Sequence, residues 1–276
     1  MSLKSSILDT NPTSYWPLDD AVGSARLHDE CGLHDAEPCG DVALAEMPFG
    51  SARMPHFDGR LGNRISIPDD EQYSHEYKNA LTVACWVAPS VLDFQFTDGS
   101  EDQYVHFIEK ACTYIDDVEW AFRLYNATNP NRHSRSSFYF FNLGHQPGQG
   151  AGAYMEYGVS GNDETPVEAR QWLFLVGQGE NWINETENAH GAIFYKQGVM
   201  AKRSTTGDKY NNPPKWNVHP QHGPGGITLG GSIGKTAFCG AIGHVAIWNR
   251  LLTPAEVTSI FEAGQLELAA TPQAAR

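Results

Sequence analysis

Short segments in which apolar side chains alternate with polar ones, or run unbroken, recur along the chain between turn signals. They span residues 65–67, 81–87, 104–108, 120–125, 138–141, 172–176, 192–195, 227–229 and 241–248. Strand side chains point alternately to opposite faces, so segments this short and this rich in β-branched and aromatic residues predict a many-stranded sheet protein. In Gln171-Trp172-Leu173-Phe174-Leu175-Val176 both alternating sets are apolar. That pattern predicts a central strand covered on both faces, as in a two-sheet sandwich. Gln178-Gly179-Glu180-Asn181 is expected to end it.

One helix is predicted near the C-terminal end. Thr253 is a candidate N-cap, Pro254 fits the first helical position, and Glu256 completes a capping box. Val257, Ile260 and Phe261 give it one apolar face, Gly264 is placed to stop it, and residues 265–276 read as a tail. Three stretches, 93–103, 144–152 and 204–226, read as long loops, the usual place for binding surfaces on a rigid β scaffold. With no internal repeat and no linker, the expectation is one elaborated domain over residues 1–264 followed by the tail.

Composition agrees with this reading and narrows the function. The 276 residues suffice for one large core without disulfide staples. The 27 Gly and 16 Pro, with 11% aromatic residues, favour a turn-rich β protein over a helix bundle. A formal charge of −14 and no concentrated basic patch argue against a nucleic-acid partner. No apolar run approaches the ~18 residues of a membrane span, and the opening Met1-Ser2-Leu3-Lys4 does not read as an export signal. The expectation is synthesis in the cytoplasm. Cys31, Cys39, Cys85, Cys112 and Cys239 form no C-x-x-C pair and read as free thiols; Cys31 and Cys39 flank a short loop and can pair only in an oxidising compartment.

A run of segments in fixed order carries a family resemblance. Ile7-Leu8-Asp9-Thr10-Asn11-Pro12-Thr13-Ser14-Tyr15-Trp16-Pro17-Leu18-Asp19-Asp20 is followed by Asp29-Glu30-Cys31-Gly32-Leu33-His34-Asp35-Ala36, then Phe57-Asp58-Gly59, Ile65-Ser66-Ile67-Pro68 and Leu81-Thr82-Val83-Ala84-Cys85-Trp86-Val87. Arg170-Gln171-Trp172-Leu173-Phe174, Ile193-Phe194-Tyr195-Lys196-Gln197-Gly198-Val199 and the closing run from Gly240 to Glu256 complete it. This order resembles the laminin-G-like, concanavalin A-like lectin/glucanase superfamily, with a pentraxin-like closing segment, over roughly residues 7–264. The resemblance implies an all-β jelly roll of two antiparallel sheets with one short C-terminal helix, the three long loops being insertions. Fold alone does not fix function here, because the superfamily holds lectins, adhesion modules, hydrolases, lyases and structural domains.

Catalytic signatures are missing from the sequence. A retaining glycosidase needs two carboxyls ~5 Å apart on one groove; no Glu-x-Asp-x-Glu strand occurs, and the acidic runs at 116–119 and 185–187 read as solvated turns. Tyr195-Lys196-Gln197-Gly198 faintly resembles an alginate lyase motif whose companion strands are absent. There is no His-x-His, His-Glu-x-x-His or Gly-x-Ser-x-Gly, and His219 and His222 read as surface histidines.

Calcium is the ion that acidic rim loops would suit. The resemblance places Asp19, Asp20, Asp29 and Asp58 near one sheet edge as candidate ligands, with turn-capping as the rival role for Asp19 and Asp58. Where many relatives begin the closing strand Gly-x-Ile-Asp-Asp, this chain has Gly240-Ala241-Ile242-Gly243-His244. For sugar contact the candidates are loop aromatics and amides: Trp182, Tyr210, Asn211, Asn212 and Trp216. Trp16, Trp86, Trp172 and Trp248 read as core.

Taken together these features predict a non-enzymatic binding or adhesion module, calcium-supported, recognising a glycan or a protein partner. The alternative is an assembly component, such as a phage virion decoration, fibre or appendage subunit, forming a homo-oligomer or larger particle. A glycoside hydrolase or lyase is the third reading.

Overall fold

The computed structural model describes residues 2–270 apart from 22, 45–47, 77–78, 100–102, 113–116, 131, 142, 144–149, 155–166, 181–191 and 204–220. Two antiparallel sheets form the sandwich. The first orders β13 (Val199–Arg203), β12 (Ile193–Lys196), β11 (Leu173–Glu180), β6 (Ala80–Pro89), β15 (Cys239–Trp248), β4 (Pro55–Asp58) and β3 (Ala43–Leu44), with β1 (Ser14–Trp16) also paired to β15. The second orders β10 (Gly150–Tyr154), β9 (Ser136–Phe141), β8 (Val118–Tyr125), β7 (Tyr104–Ala111), β14 (Ile227–Leu229), β5 (Arg64–Ile67) and β2 (Glu37–Cys39). Every strand expected from the apolar pattern is present.

The core between the sheets is built from alternate residues of facing strands. Val83, Cys85 and Val87 of β6 and Leu173 and Leu175 of β11 meet Phe107 of β7, Trp120 and Phe122 of β8, and Phe138 and Phe140 of β9. The intervening residues of the first sheet, Trp86, Phe174, Val176 and Trp248, enter a second core on its other face. There they meet α1 (Leu3–Leu8) and α2 (Pro254–Ala269) through Leu3, Ile7, Val257 and Ile260. The doubly apolar strand is therefore covered by the partner sheet on one face and by a helical layer on the other. Full burial of one such tryptophan removes about 200 Å² of apolar surface, worth about 5 kcal/mol.

Three expectations require correction. β11 runs to Glu180, so Gln178, Gly179 and Glu180 of the expected terminating stretch belong to the strand, while Asn181 lies outside the described residues; the glycines lie within the strand because the opposing sheet needs the space. A Cβ on Gly177 would stand 2.2 Å from Phe138 Cγ, and one on Gly179 2.3 Å from Phe140 Cε2. Gly264 does not stop the helix, which runs on to Ala269; a Cβ there would meet Trp86 Cζ2 at 2.2 Å, so the glycine is a packing notch. Part of the 144–152 loop is strand β10. The helix start is as expected: the Thr253 side chain accepts from Glu256 N–H, Glu256 reaches back to Thr253 N–H, and Arg250 clamps Glu256 at 2.7 and 3.0 Å. Helix α1, six residues capped by Ser2, is too short to show a periodicity in the sequence.

Candidate functional site

The sequence candidates divide into two groups. Trp182, Tyr210, Asn211, Asn212 and Trp216 lie outside the described residues, as does His219. Asp19, Asp20, Asp29 and Asp58 are all described, and the fold does not bring them together as a calcium site.

Asp29 is wholly buried and accepts from Ser14 Oγ at 2.8 Å and from the backbone N–H groups of Tyr15, Cys31, Leu33 and His34 at 2.9–3.2 Å. Its oxygens are already saturated, and it serves to fold the 29–34 loop onto β1. Asp58 caps the turn after β4, accepting from Arg60 N–H and Asn63 Nδ2 at 3.0 Å. Asp20 accepts from His28 N–H, and Asp19 is exposed. Among the described residues no three His, Cys, Asp or Glu side chains gather as a metal-binding group.

His244 is buried in a bulge of β15 at φ +49°. Its Nδ1 meets Tyr15 Oη at 2.7 Å and its ring packs 4.7 Å from Phe49. Burial holds its pKa down to about 3, so it is a neutral core residue.

The arrangement with chemistry to offer is the outer face of the seven-stranded sheet, which the sequence reading did not single out. Cross-strand register aligns Glu37, Ser66, Thr228, Glu109, Ala121 and Tyr139 in one row running from β2 to β9. Exposure falls along it: Glu37 is open, Ser66 half-buried, and the rest are buried. At the open end a cleft of about 340 Å³ is lined by Glu37, Ser66, Asp69 and Thr228 among the apolar surfaces of Pro68 and Ile233.

At the closed end Arg123 is clamped by rings. Its guanidinium carbon lies 4.1 Å from the Tyr104 ring centre, 4.5 Å from Tyr139 and 5.0 Å from Phe141. Arg123 Nε donates to His106 Nε2 at 2.9 Å, and His106 Nδ1 meets Glu109 Oε2 at 2.5 Å. Because the guanidinium can only donate, His106 Nε2 must be the unprotonated nitrogen, and the ring proton sits on Nδ1 facing Glu109. Burial lowers the His106 pKa against the pull of Glu109, in keeping with the neutral ring. Ser232 Oγ donates to the same Glu109 oxygen at 2.9 Å.

This relay is not a hydrolase triad. Ser232 approaches Nδ1 at 3.5 Å, on the side that Glu109 occupies, while the nitrogen that would act as base is consumed by Arg123. It fixes an arginine, and the sequence signal was the alternation Ala121, Arg123, Tyr125 opposite Trp120, Phe122, Leu124 on one strand.

Beneath the cleft a second polar group anchors its wall. Lys110, wholly buried, donates to Asp69 Oδ1 and Glu119 Oε1 at 2.6 Å and to the carbonyls of Gly225 at 2.6 Å and Gly223 at 3.1 Å. His222 adds an approach of 3.5 Å to Asp69 and bonds Ser74 at 2.9 Å. Asp69 is thus held by the Lys110 ammonium on the cleft floor, and the same ammonium ties down the 223–225 segment.

No curated protein sequence matches the chain significantly. Among solved structures it is similar to the binding domain of botulinum neurotoxin serotype G, with a TM-score of 0.62 and 14% identity over 91% of this chain and 51% of that one. The serotype D ligand binding domain, solved in complex with N-acetylneuraminic acid, gives a TM-score of 0.59 and 13% identity over 95% and 52% of the two chains. The chain thus spans about half the length of these neurotoxin domains. Domain 4 of AbnA, an extracellular GH43 arabinanase from Geobacillus stearothermophilus, solved in complex with arabinotriose, gives a TM-score of 0.54 and 18% identity over 90% of this chain and 97% of that one. At these identities the likeness is one of fold. The sequence model of the concanavalin A-like lectin/glucanases superfamily matches residues 58–258, most of the sandwich, and the protein belongs to that superfamily.

Proposed function

We propose that the protein is a non-enzymatic carbohydrate-binding module whose ligand lies on the outer face of the seven-stranded sheet. The observation that carries this reading is the cleft of about 340 Å³ at the open end of the Glu37–Ser66–Thr228 row. Carboxylates and hydroxyls spaced by the sheet repeat accept and donate to sugar hydroxyls, while Pro68 and Ile233 offer apolar surface to the C–H face of a pyranose or furanose. The sugar complexes of the arabinanase domain and of the serotype D domain support a carbohydrate over other ligand classes. Outside the described residues, Trp182, Tyr210 and Trp216 belong to the same reading as stacking groups, with Asn211 and Asn212 as hydroxyl partners.

A hydrolytic role has little support from the residues around the cleft. Asp69 is bound to Lys110, and Glu119, whose pKa is raised by burial, spends one oxygen on Lys110 and on Gly223 N–H at 2.9 Å. Neither is free to act as a general acid.

The test is a glycan array followed by calorimetry on the purified chain. Ser66→Trp, at a half-buried position, fills the cleft and is expected to weaken binding at least tenfold with the melting temperature within a few degrees of the parent. Glu37→Gln is expected to weaken it severalfold. Absence of any glycan binding, or binding unchanged by both variants, overturns the proposal; release of reducing ends from a bound glycan overturns its non-enzymatic part.

A further inference from the structure

Resting on the carbohydrate reading and extending it, we infer that Arg123 is a carboxylate-recognition site, so that the preferred ligand is an acidic glycan carrying a uronate or sialate group. Among the described residues no carboxylate meets Arg123 directly; the nearest acid in its network, Glu109, is separated from it by the neutral His106 ring. The guanidinium therefore keeps an unspent charge in a setting that is otherwise closed. His106, Glu109, Tyr104 and Tyr139 are buried, while Arg123 retains part of its surface.

Geometry narrows the ligand further. Nε is committed to His106 and a further guanidinium hydrogen bond goes to the Tyr125 side chain, so the side-on fork is used up and the remaining N–H donors of the terminal amino groups face away from Nε. Those end-on donors match the two oxygens of a planar carboxylate. Rings of Tyr104 and Tyr139 within 4.5 Å of the guanidinium carbon hold its plane, so little side-chain entropy is lost when an anion docks. Ser232, Glu109 and His106 act as positioning residues: each link in the chain fixes the next, and the last fixes Nε.

Overall charge opposes rather than creates this preference. The chain carries −14, but at physiological ionic strength fields are screened beyond about 8 Å. Contact at the partly desolvated guanidinium decides the outcome, and an acidic ligand is recognised locally against the long-range field.

Location relative to the cleft separates this inference from the proposal it extends. Thr228, which lines the cleft, pairs with Glu109 of β7, and Arg123 lies on β8 beyond it, so a ligand seated in the cleft needs to extend across two sheet spacings, ~10 Å, to reach the guanidinium. A linear oligosaccharide of two or three residues covers that distance.

The experiment uses the whole chain and matched probes: oligogalacturonate, an alginate oligomer, a hyaluronan oligomer and sialyllactose, each as the free acid and as its methyl ester. At least one acid is expected to bind tenfold or more tighter than its ester. Arg123→Gln is expected to abolish that difference, and Arg123→Lys to remove most of it, because a point charge lacks the fork. Equal binding of acid and ester by the parent protein overturns the inference and needs no variant that might misfold. So does an acid preference that survives in Arg123→Gln. If Ser66→Trp abolishes binding of neutral and esterified glycans alike while no acid preference exists, the cleft proposal stands and this one falls. If acid binding depends on Arg123 and ignores Ser66→Trp, this one stands and the cleft assignment falls. Binding of none of the probes in either form overturns it.

Discussion

The Lys110 ammonium lies 2.6 Å from a carboxylate oxygen of Glu119, with both side chains shut inside one end of the sandwich. Burying charges is costly unless they are paired and hydrogen-bonded, and this ammonium meets four oxygens. Lys110→Met strands the Glu119 and Asp69 carboxylates and is expected to destabilise the fold by roughly 3–5 kcal/mol. Adding Glu119→Gln should recover part of that loss. Urea denaturation of the single and double variants checks it, and equal stability of the two would show that the pair is not coupled.

Gly264 weighs helix propensity against packing. Alanine is the better helix former by about 1 kcal/mol, yet its methyl would enter the Trp86 indole, and overpacking of this kind costs typically 1–3 kcal/mol. Gly264→Ala is therefore expected to lower the melting temperature. A rise would mean that the tryptophan moves aside without cost. Gly177→Ala, pressed onto Phe138 between the sheets, should be the more damaging of the two because both neighbouring layers are fixed.

Two buried histidines tie stability to acidity. Burial holds His75 at about 4 and His244 at about 3, below the ordinary value of 6.5. The folded state refuses protons that the unfolded chain accepts, so stability is full above pH 6.5 and is lost as the pH falls from there toward 3. Each group contributes a slope of about 1 kcal/mol per pH unit in that window. Denaturation midpoints measured between pH 7 and 4.5 should fall accordingly, and His244→Gln should flatten the dependence. A profile unchanged by that substitution would remove His244 from the account.

Cys31 is exposed yet should be a poor nucleophile. Desolvation, then the neighbouring Asp29 and Glu30 carboxylates, push its thiol up to about 11, so little thiolate exists near neutral pH. With Ellman's reagent at pH 8 it is expected to react about tenfold or more slowly than an ordinary surface thiol. Fast labelling at this position would contradict the local electrostatics.

Asp29 provides a test of the loop it organises. Five donors converge on it, so Asp29→Ala leaves four backbone N–H groups without this partner. A loss of a few kcal/mol is expected, since the Tyr15 N–H is buried and the other three are part-buried, and a stranded buried donor costs about 1–3 kcal/mol. Calcium should not restore it in thermal melts, and a calcium-dependent recovery would return these carboxylates to a metal-binding role.

Periodicity determined much of this protein before any coordinate. Alternating and unbroken apolar segments located the principal strands, the doubly apolar 171–176 run marked a strand covered on both faces, and Thr253, Pro254 and Glu256 located the start of α2. These are local signals, readable because side-chain direction follows directly from strand and helix repeat. What the sequence could not decide depends on partners far away in the chain. Gly179 and Gly264 look like breakers but are notches for Phe140 and Trp86, as Gly177 is for Phe138, and only packing distinguishes the two. Asp29 resembles a rim ligand until the fold folds four N–H groups onto it. Arg123, His106 and Glu109 are commonplace strand residues until β7 and β8 pair in register and aim them at one another. The proposed binding face, made of alternate residues from several strands, has no contiguous motif, so it is visible only once the strands pair.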